Sequence, residues 1–393
     1  MRSGLEFMLG ENIDRLVGKR VGFVCNHTAV DRRLRHGIDR LHASRIQLVR
    51  LFGPEHGIRA TAQDMEGVEE FLDPVTGIPT VSLYGKSANS LRPGKALIED
   101  LDVILFDIQD IGARYYTYQA TLGFVMEVAG PAGVPVIVLD RPNPINGLSV
   151  EGNLVQPGFE SFVGAYPLAV RHGMTVAELS VYFQKFCGVS CEVEVIRCEG
   201  WERAAWFDHT DLPWVYPSPN MPTLDTATVY PGTCLIEGTN LSEGRGTTRP
   251  FHLVGAPWLD PQRFTKECEY SAAAAGLQGV AFRPSAFIPG FQKHAGKRCG
   301  GVEIHVTQRA RLNTFLLGMV VIEAARRCNP EKFAWRTEEY EFVKEPIAID
   351  LLTGSTEFRQ VIENGQSLKD LLNHWKPQLA TFLERRRECL LYE

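Results

Sequence analysis

Residues 103–118 read VILFDIQDIGARYYTY. The first six are apolar except for one aspartate and show no in–out alternation, the pattern of a parallel strand covered on both faces. Residues 107–118 then crowd together Asp107, Gln109, Asp110, Arg114 and three tyrosines, a density of polar groups that a purely structural strand end rarely needs. Working outward, similar β-branched runs recur at residues 20–25, 47–52, 80–84 and 135–140, separated by stretches long enough for helices. That alternation predicts an α/β fold built on a Rossmann-like, doubly wound, mostly parallel sheet. Every run ends in polar residues: CNHT after the first, GPEHGIR after the second, LYGKS after the third and DRPNP after the last. Ligands of open parallel sheets bind beyond the carboxyl ends of the strands, so these ends together predict one crevice.

Past GAPW at 255–258 the regular alternation stops. A helix over 261–276, a strand over 302–307, a helix over 313–328 and a helical segment over 367–387 predict a smaller α+β domain. We therefore expect a Rossmann-like catalytic domain over 1–256, a second domain over 257–393, and a cleft between them.

Composition narrows the function. With 393 residues, 44% of them apolar, the chain has ample material for large cores. A formal net charge of −6 without any basic arm argues against a nucleic-acid partner and for a small, uncharged or mildly anionic ligand. The nine cysteines are scattered without a CxxC pair and read as reduced thiols. No apolar run approaches the ~18 residues of a membrane span, and the first residues lack the apolar centre of a signal peptide. The sequence as it stands is expected in the cytoplasm, or in the periplasm or outside the cell if a leader has been removed.

GxxxxGK[ST], GxGxxG after the first strand, HExxH and GxSxG are all missing, so nucleotide binding, zinc hydrolysis and serine acyl transfer lose their support. Neither a metal nor a cofactor is expected. What remains in quantity is carboxylate, arginine, tyrosine and amide.

FGPEHGIR (52–59), FDIQDIGARYYTY (106–118), LDRPNPING (139–147), RHGMT (171–175), YPSPNMPT (216–223) and EGTNLSEGRGTTRPF (237–251) resemble the exo-β-N-acetylmuramidase family of glycoside hydrolases, over nearly the whole chain. The resemblance implies two domains flanking a cleft that releases N-acetylmuramic acid (MurNAc) from the non-reducing ends of peptidoglycan fragments in bacterial cell-wall turnover. Two residues depart from the family pattern: Ala60, which limits close backbone approach just past the turn carrying Glu55, and His252, which bears on the pocket rim.

Glycoside hydrolysis usually needs two carboxyl groups flanking the scissile oxygen. Glu55, held at a strand end by the Gly53–Pro54 turn, is the first candidate, against the alternatives that it caps a helix or pairs with Arg59. Glu243, bracketed by glycines, is the second, against a backbone-bracing role; His56 is expected to assist or to orient its neighbours. Asp107, Gln109, Asp110, Tyr116, Asn143 and Asn240 form the expected sugar-binding set, Asp107 having a helix cap or an ion pair as its alternative. MurNAc carries a lactyl carboxylate that a guanidinium binds bidentately, which makes Arg114, Arg141 and Arg245 candidates, each with salt bridging as its alternative. His172 is read as structural, beside a helix capped by Thr175. The rival readings are a non-catalytic muropeptide or amino-sugar binding protein, since a sheet domain facing a second lobe also describes binders, and an amidase or deacetylase.

Overall fold

The computed structural model describes residues 1–55, 57–59, 71–85 and 87–393. Its first sheet contains β1 (Val21–Cys25), β2 (Leu48–Gly53), β3 (Phe71–Leu72), β4 (Pro79–Ser82), β5 (Val103–Asp107), β6 (Val136–Leu139) and β7 (Val193–Ile196), in the order β3-β4-β2-β1-β5-β6-β7. Neighbours run parallel except β3 and β4. The order departs in both directions from the β1–β5 pair, so the carboxyl ends of these two strands flank the topological switch point.

Alternate residues of the strands enter two separate cores. Ile104, Phe106, Val136 and Val138 pack with Leu122, Val125 and Leu179, from the helices Tyr118–Ala132 and Val176–Phe186. Val103, Leu105, Ile137 and Leu139 pack with Leu5, Met8, Ile38 and Leu41, from Gly4–Glu11 and Gly37–Ala43. Burial on both faces is why VILFDI carries no alternation. The third expected run stops at Ser82, whose hydroxyl accepts from the Tyr84 N–H at 3.1 Å and donates to its carbonyl. Two edge strands were not expected: β3 is two residues long, and β7 interrupts its apolar residues with Glu194.

The second sheet is antiparallel, with β8 (Leu253–Ala256), β9 (Val280–Phe287) and β10 (Cys299–Val306) in the order β8-β10-β9. The helices Pro261–Ala275 and Thr314–Cys328 pack together behind it, started by the side-chain caps Asp260 and Asn313. β9 escapes sequence reading because Pro284 interrupts it. Strand β8 is hydrogen-bonded in this second sheet although it closes the segment 1–256.

Three devices tie the two parts together. The Glu151 carboxylate accepts from the Thr314 and Phe315 amides at 2.6 and 3.1 Å, an anion at the N-terminus of Thr314–Cys328, and also pairs with Arg171 at 2.7 Å. Helix Leu224–Thr233 crosses Thr314–Cys328 so closely that a Cβ on Gly232 would lie 1.8 Å from the Thr314 carbonyl oxygen, which only glycine permits. Finally, the chain end returns to the first sheet, where the Tyr392 hydroxyl donates to Asp140 at 2.5 Å. Among the described residues, no helix is long and apolar enough to cross a membrane.

Candidate active site

A cleft opens beyond the carboxyl ends of the first sheet, lined by residues that lie far apart along the chain. Glu55 lines it from the turn after β2, Tyr116 and Tyr118 from the segment that follows β5, and Tyr230, Glu237, Arg245, Arg336, Tyr340 and Glu341 from later in the chain.

The turn carrying Glu55 is held from below. The Gly57 N–H donates to Pro54 O at 3.0 Å with φ at +74°, and Ile58 is buried in the core. Arg59 grips Asp73 at 2.8 Å and Asp39 at 2.9 Å, and these two take the guanidinium that one reading assigned to Glu55. Burial opposes ionisation of Asp73, but hydrogen bonds from Arg59 and Thr76 prevail and pull its carboxyl down to about 2. His56 and Ala60 lie outside the described residues.

Tyr118, Tyr116, Tyr230 and Phe251 form a wall of successive edge-on contacts, with ring centroids 5.0, 5.5 and 4.8 Å apart. Burial pushes the Tyr116 and Tyr118 phenols well above their ordinary range, with the nearby charges of Glu55 and Asp110 adding to the effect, so both stay neutral. The Tyr118 hydroxyl donates to Pro217 O at 2.6 Å. That of Tyr116 has no hydrogen-bond partner among the described residues.

Glu237 reaches the cleft from the short turn Cys234–Gly238 that continues Leu224–Thr233. One of its oxygens accepts from Arg245 at 2.6 Å and the other from the Tyr340 hydroxyl at 2.7 Å. Glu341 follows in a reversal closed by reciprocal Tyr340–Val343 hydrogen bonds, with φ of +47° at Glu341 and +68° at Phe342. Such a turn favours glycine or asparagine, so two larger residues there store backbone strain, which is commonest at functional sites. The Tyr84 hydroxyl donates to Glu341 at 3.3 Å.

Of the residues singled out in the sequence, the structure brings Glu55, Tyr116 and Arg245 to the cleft wall. Glu243 sits behind it, buried, 2.9 Å from Arg245 Nε and 3.0 Å from Lys293 Nζ. Burial opposes its ionisation, but these two cations hold the carboxyl below its usual range. The glycine after Arg245 admits another loop: a Cβ on Gly246 would lie 2.6 Å from Gly290 Cα.

Several expected sugar contacts are framework. Asp107 and Arg141 form a buried ion pair, at 2.9 Å for one of its two hydrogen bonds. Arg114 is fully buried and donates to the carbonyls of Asn153, Leu168 and Leu352 at 2.7–2.9 Å. Burial without a carboxylate lowers its guanidinium to about 10. Gln109 donates to the carbonyls of Asp110 and Pro142, and Asn143 to that of Met174. Asp110 accepts from the Gly112 amide and lies 3.6 Å from His172, behind the tyrosine wall. Asn240 donates to Lys332 O and accepts from the Ala334 N–H, pinning the strand of chain that leads to Arg336. Thr175 caps Val176–Phe186 as expected.

Sequence reading passed over Glu237, Arg336, Tyr340 and Glu341. Glu237 opens the motif EGTNLSEGRG and had that signal, whereas TEEYEF (337–342) looks like any solvated acidic stretch.

Two family models match the chain: the N-terminal segment of exo-β-N-acetylmuramidase NamZ over residues 21–225, and its C-terminal segment over 228–392. The peptidoglycan β-N-acetylmuramidase NamZ of Bacillus subtilis strain 168 is 40% identical over all of this chain and 91% of its own length. Crystal structures of two DUF1343 family proteins from Bacteroides fragilis NCTC 9343 superpose on it, covering 100% of this chain and 99% of theirs. Their TM-scores are 0.89 and 0.75, at 31% and 28% identity. A sheet domain with its cleft at the carboxyl edge, lined by several carboxylates, is the architecture of a glycosidase here. The chain belongs to the exo-β-N-acetylmuramidase family.

Proposed function

We propose that this chain removes MurNAc from the non-reducing ends of peptidoglycan fragments, with Glu55 as the general acid. The observation that carries the reading is the meeting of three carboxylates, Glu55, Glu237 and Glu341, in one cleft beside a wall of tyrosines, in a chain 40% identical to a peptidoglycan β-N-acetylmuramidase.

Glu55 donates its proton to the glycosidic oxygen as the bond to the anomeric carbon breaks. The positive charge that develops on the sugar ring is stabilised by the carboxylate of Glu237, which Arg245 and Tyr340 hold in place, and by Glu341. The tyrosine faces offer flat apolar surface to the sugar, and the Tyr116 hydroxyl offers a hydrogen bond to one of its polar groups. A water molecule completes hydrolysis, and the proton it loses restores the acid. Glu243, Asp107, Arg114, Arg141, Asn143 and Asn240 support these groups without touching the sugar.

The test uses aryl MurNAc glycosides of graded leaving groups. Glu55→Gln should lose several orders of magnitude in kcat where the phenol leaves poorly, and much less with a dinitrophenyl group, which departs without a proton. Equal loss on both, or near-normal turnover, would remove Glu55 from this role.

A further inference from the structure

Resting on the muramidase reading above, we infer that Arg336 is the residue that recognises the lactyl carboxylate of MurNAc. The three arginines that the motifs suggested are occupied. Arg114 is buried on backbone carbonyls, Arg141 is paired with Asp107, and Arg245 bridges Glu237 and Glu243. Arg336 also lines the cleft, and among the described residues it forms no ion pair with any carboxylate. Among the described residues, the one hydrogen bond from its guanidinium goes to a backbone carbonyl, Glu339 O, at 3.2 Å.

The rest of its surroundings hold it ready. The guanidinium lies over the Tyr340 ring at 5.0 Å, and that ring is fixed through its hydroxyl to Glu237. The Arg336 amide donates to Gly238 O at 2.9 Å, next to Glu237 itself, while Trp335 bridges Thr239 and Asn240 secures Ala334. A half-buried guanidinium stacked on a ring keeps its planar edge available for two parallel hydrogen bonds to a carboxylate. The chemistry of the sugar fits this placement: the lactyl ether is carried on the ring carbon two atoms from the anomeric centre. A group beside Glu237 therefore reaches the lactate while Glu237 faces the reacting carbon. N-acetylglucosamine, which lacks the ether, would leave Arg336 without a partner.

The experiment compares kcat/KM for an aryl MurNAc glycoside and for the methyl ester of its lactyl carboxylate, in wild type, Arg336→Gln and Arg336→Lys. Wild type should prefer the acid by about 10- to 100-fold, the range of a charge-assisted hydrogen bond. Arg336→Gln should lose that preference, its kcat/KM on the acid falling toward that on the ester, while an unfolding midpoint close to that of wild type shows that the variant is folded. Arg336→Lys, keeping the charge but not the fork, should regain part of it. The inference is overturned if wild type treats acid and ester alike, if Arg336→Gln keeps its preference, or if it falls equally on both. Failure of wild type on both substrates would overturn the muramidase reading, and this inference with it.

Discussion

Replacing Gly318 with alanine sets two effects of opposite sign against each other. In an uncrowded helix the change gains roughly 0.5–1 kcal/mol, because glycine loses more backbone freedom on folding. In Thr314–Cys328, however, a Cβ on Gly318 would stand 1.9 Å from Gly232 O and 2.4 Å from its carbonyl carbon. That is about 1.4 Å inside the ~3.3 Å at which a carbon ordinarily meets a carbonyl oxygen. Both obstacles are backbone and cannot swing aside, so the two helices must part. Overpacking at the upper end of its usual range costs ~3 kcal/mol, leaving a net loss of about 2 kcal/mol after the helix gain. Activity should suffer as well, since Leu224–Thr233 carries Tyr230 and runs directly into the turn holding Glu237. A displacement of about 1 Å at that turn lowers kcat by ~100-fold, the sensitivity of well-positioned catalytic groups. The assay is a urea unfolding midpoint together with kcat on an aryl MurNAc glycoside. Gly10→Ala serves as the control, because a Cβ there meets nothing closer than Arg2 Nη2 at 3.5 Å. A Gly318→Ala protein that unfolds at or above the wild-type midpoint with unchanged kcat would refute the reasoning.

Two other perturbations follow from the ion pairs. Arg245→Met leaves Glu243 its Lys293 partner but strands the nearly buried Glu237 without a cation; a loss of ~3–5 kcal/mol is expected in urea unfolding, part of which Glu237→Gln restores in the double variant. A single variant as stable as wild type would contradict this. Burial pushes the Asp140 carboxyl up to about 7, despite hydrogen bonds from Tyr392 and Ala177. Because this folded value lies above the ordinary one, the contribution of Asp140 is full below pH ~4 and is lost as pH rises through about 7. Asp140→Asn, which cannot ionise, should therefore gain stability relative to wild type between pH 5 and pH 8, and parallel pH profiles of the two proteins would contradict that assignment.

How much of this was legible beforehand depended on whether the signal was local. Unbroken apolar runs such as VILFDI mark strands buried on both faces, because each residue must satisfy its own environment, and the polar strand ends marked the edge where the cleft lies. The helix cap at Thr175 was equally readable, since a cap is made within one turn. Glu55 could be singled out because the Gly53–Pro54 turn and the strand before it lie in the same short stretch. The partners of each charge could not be read in this way. Asp107, Arg114 and Arg141 look like binding residues in their motifs, yet burial gives them to one another or to backbone carbonyls, and an ion pair across 34 positions leaves no trace in spacing. Glu237, Arg336 and Glu341 stand together only because the crossing at Gly232 and Gly318, the Glu151 cap and the strained turn at Glu341 bring distant segments to one place. The sequence by itself determined which chemical groups were present and which strand edge would carry them. Tertiary structure alone decided which of those charges were neutralised in the framework and which faced the cleft, because that choice rests on distances between side chains far apart along the chain.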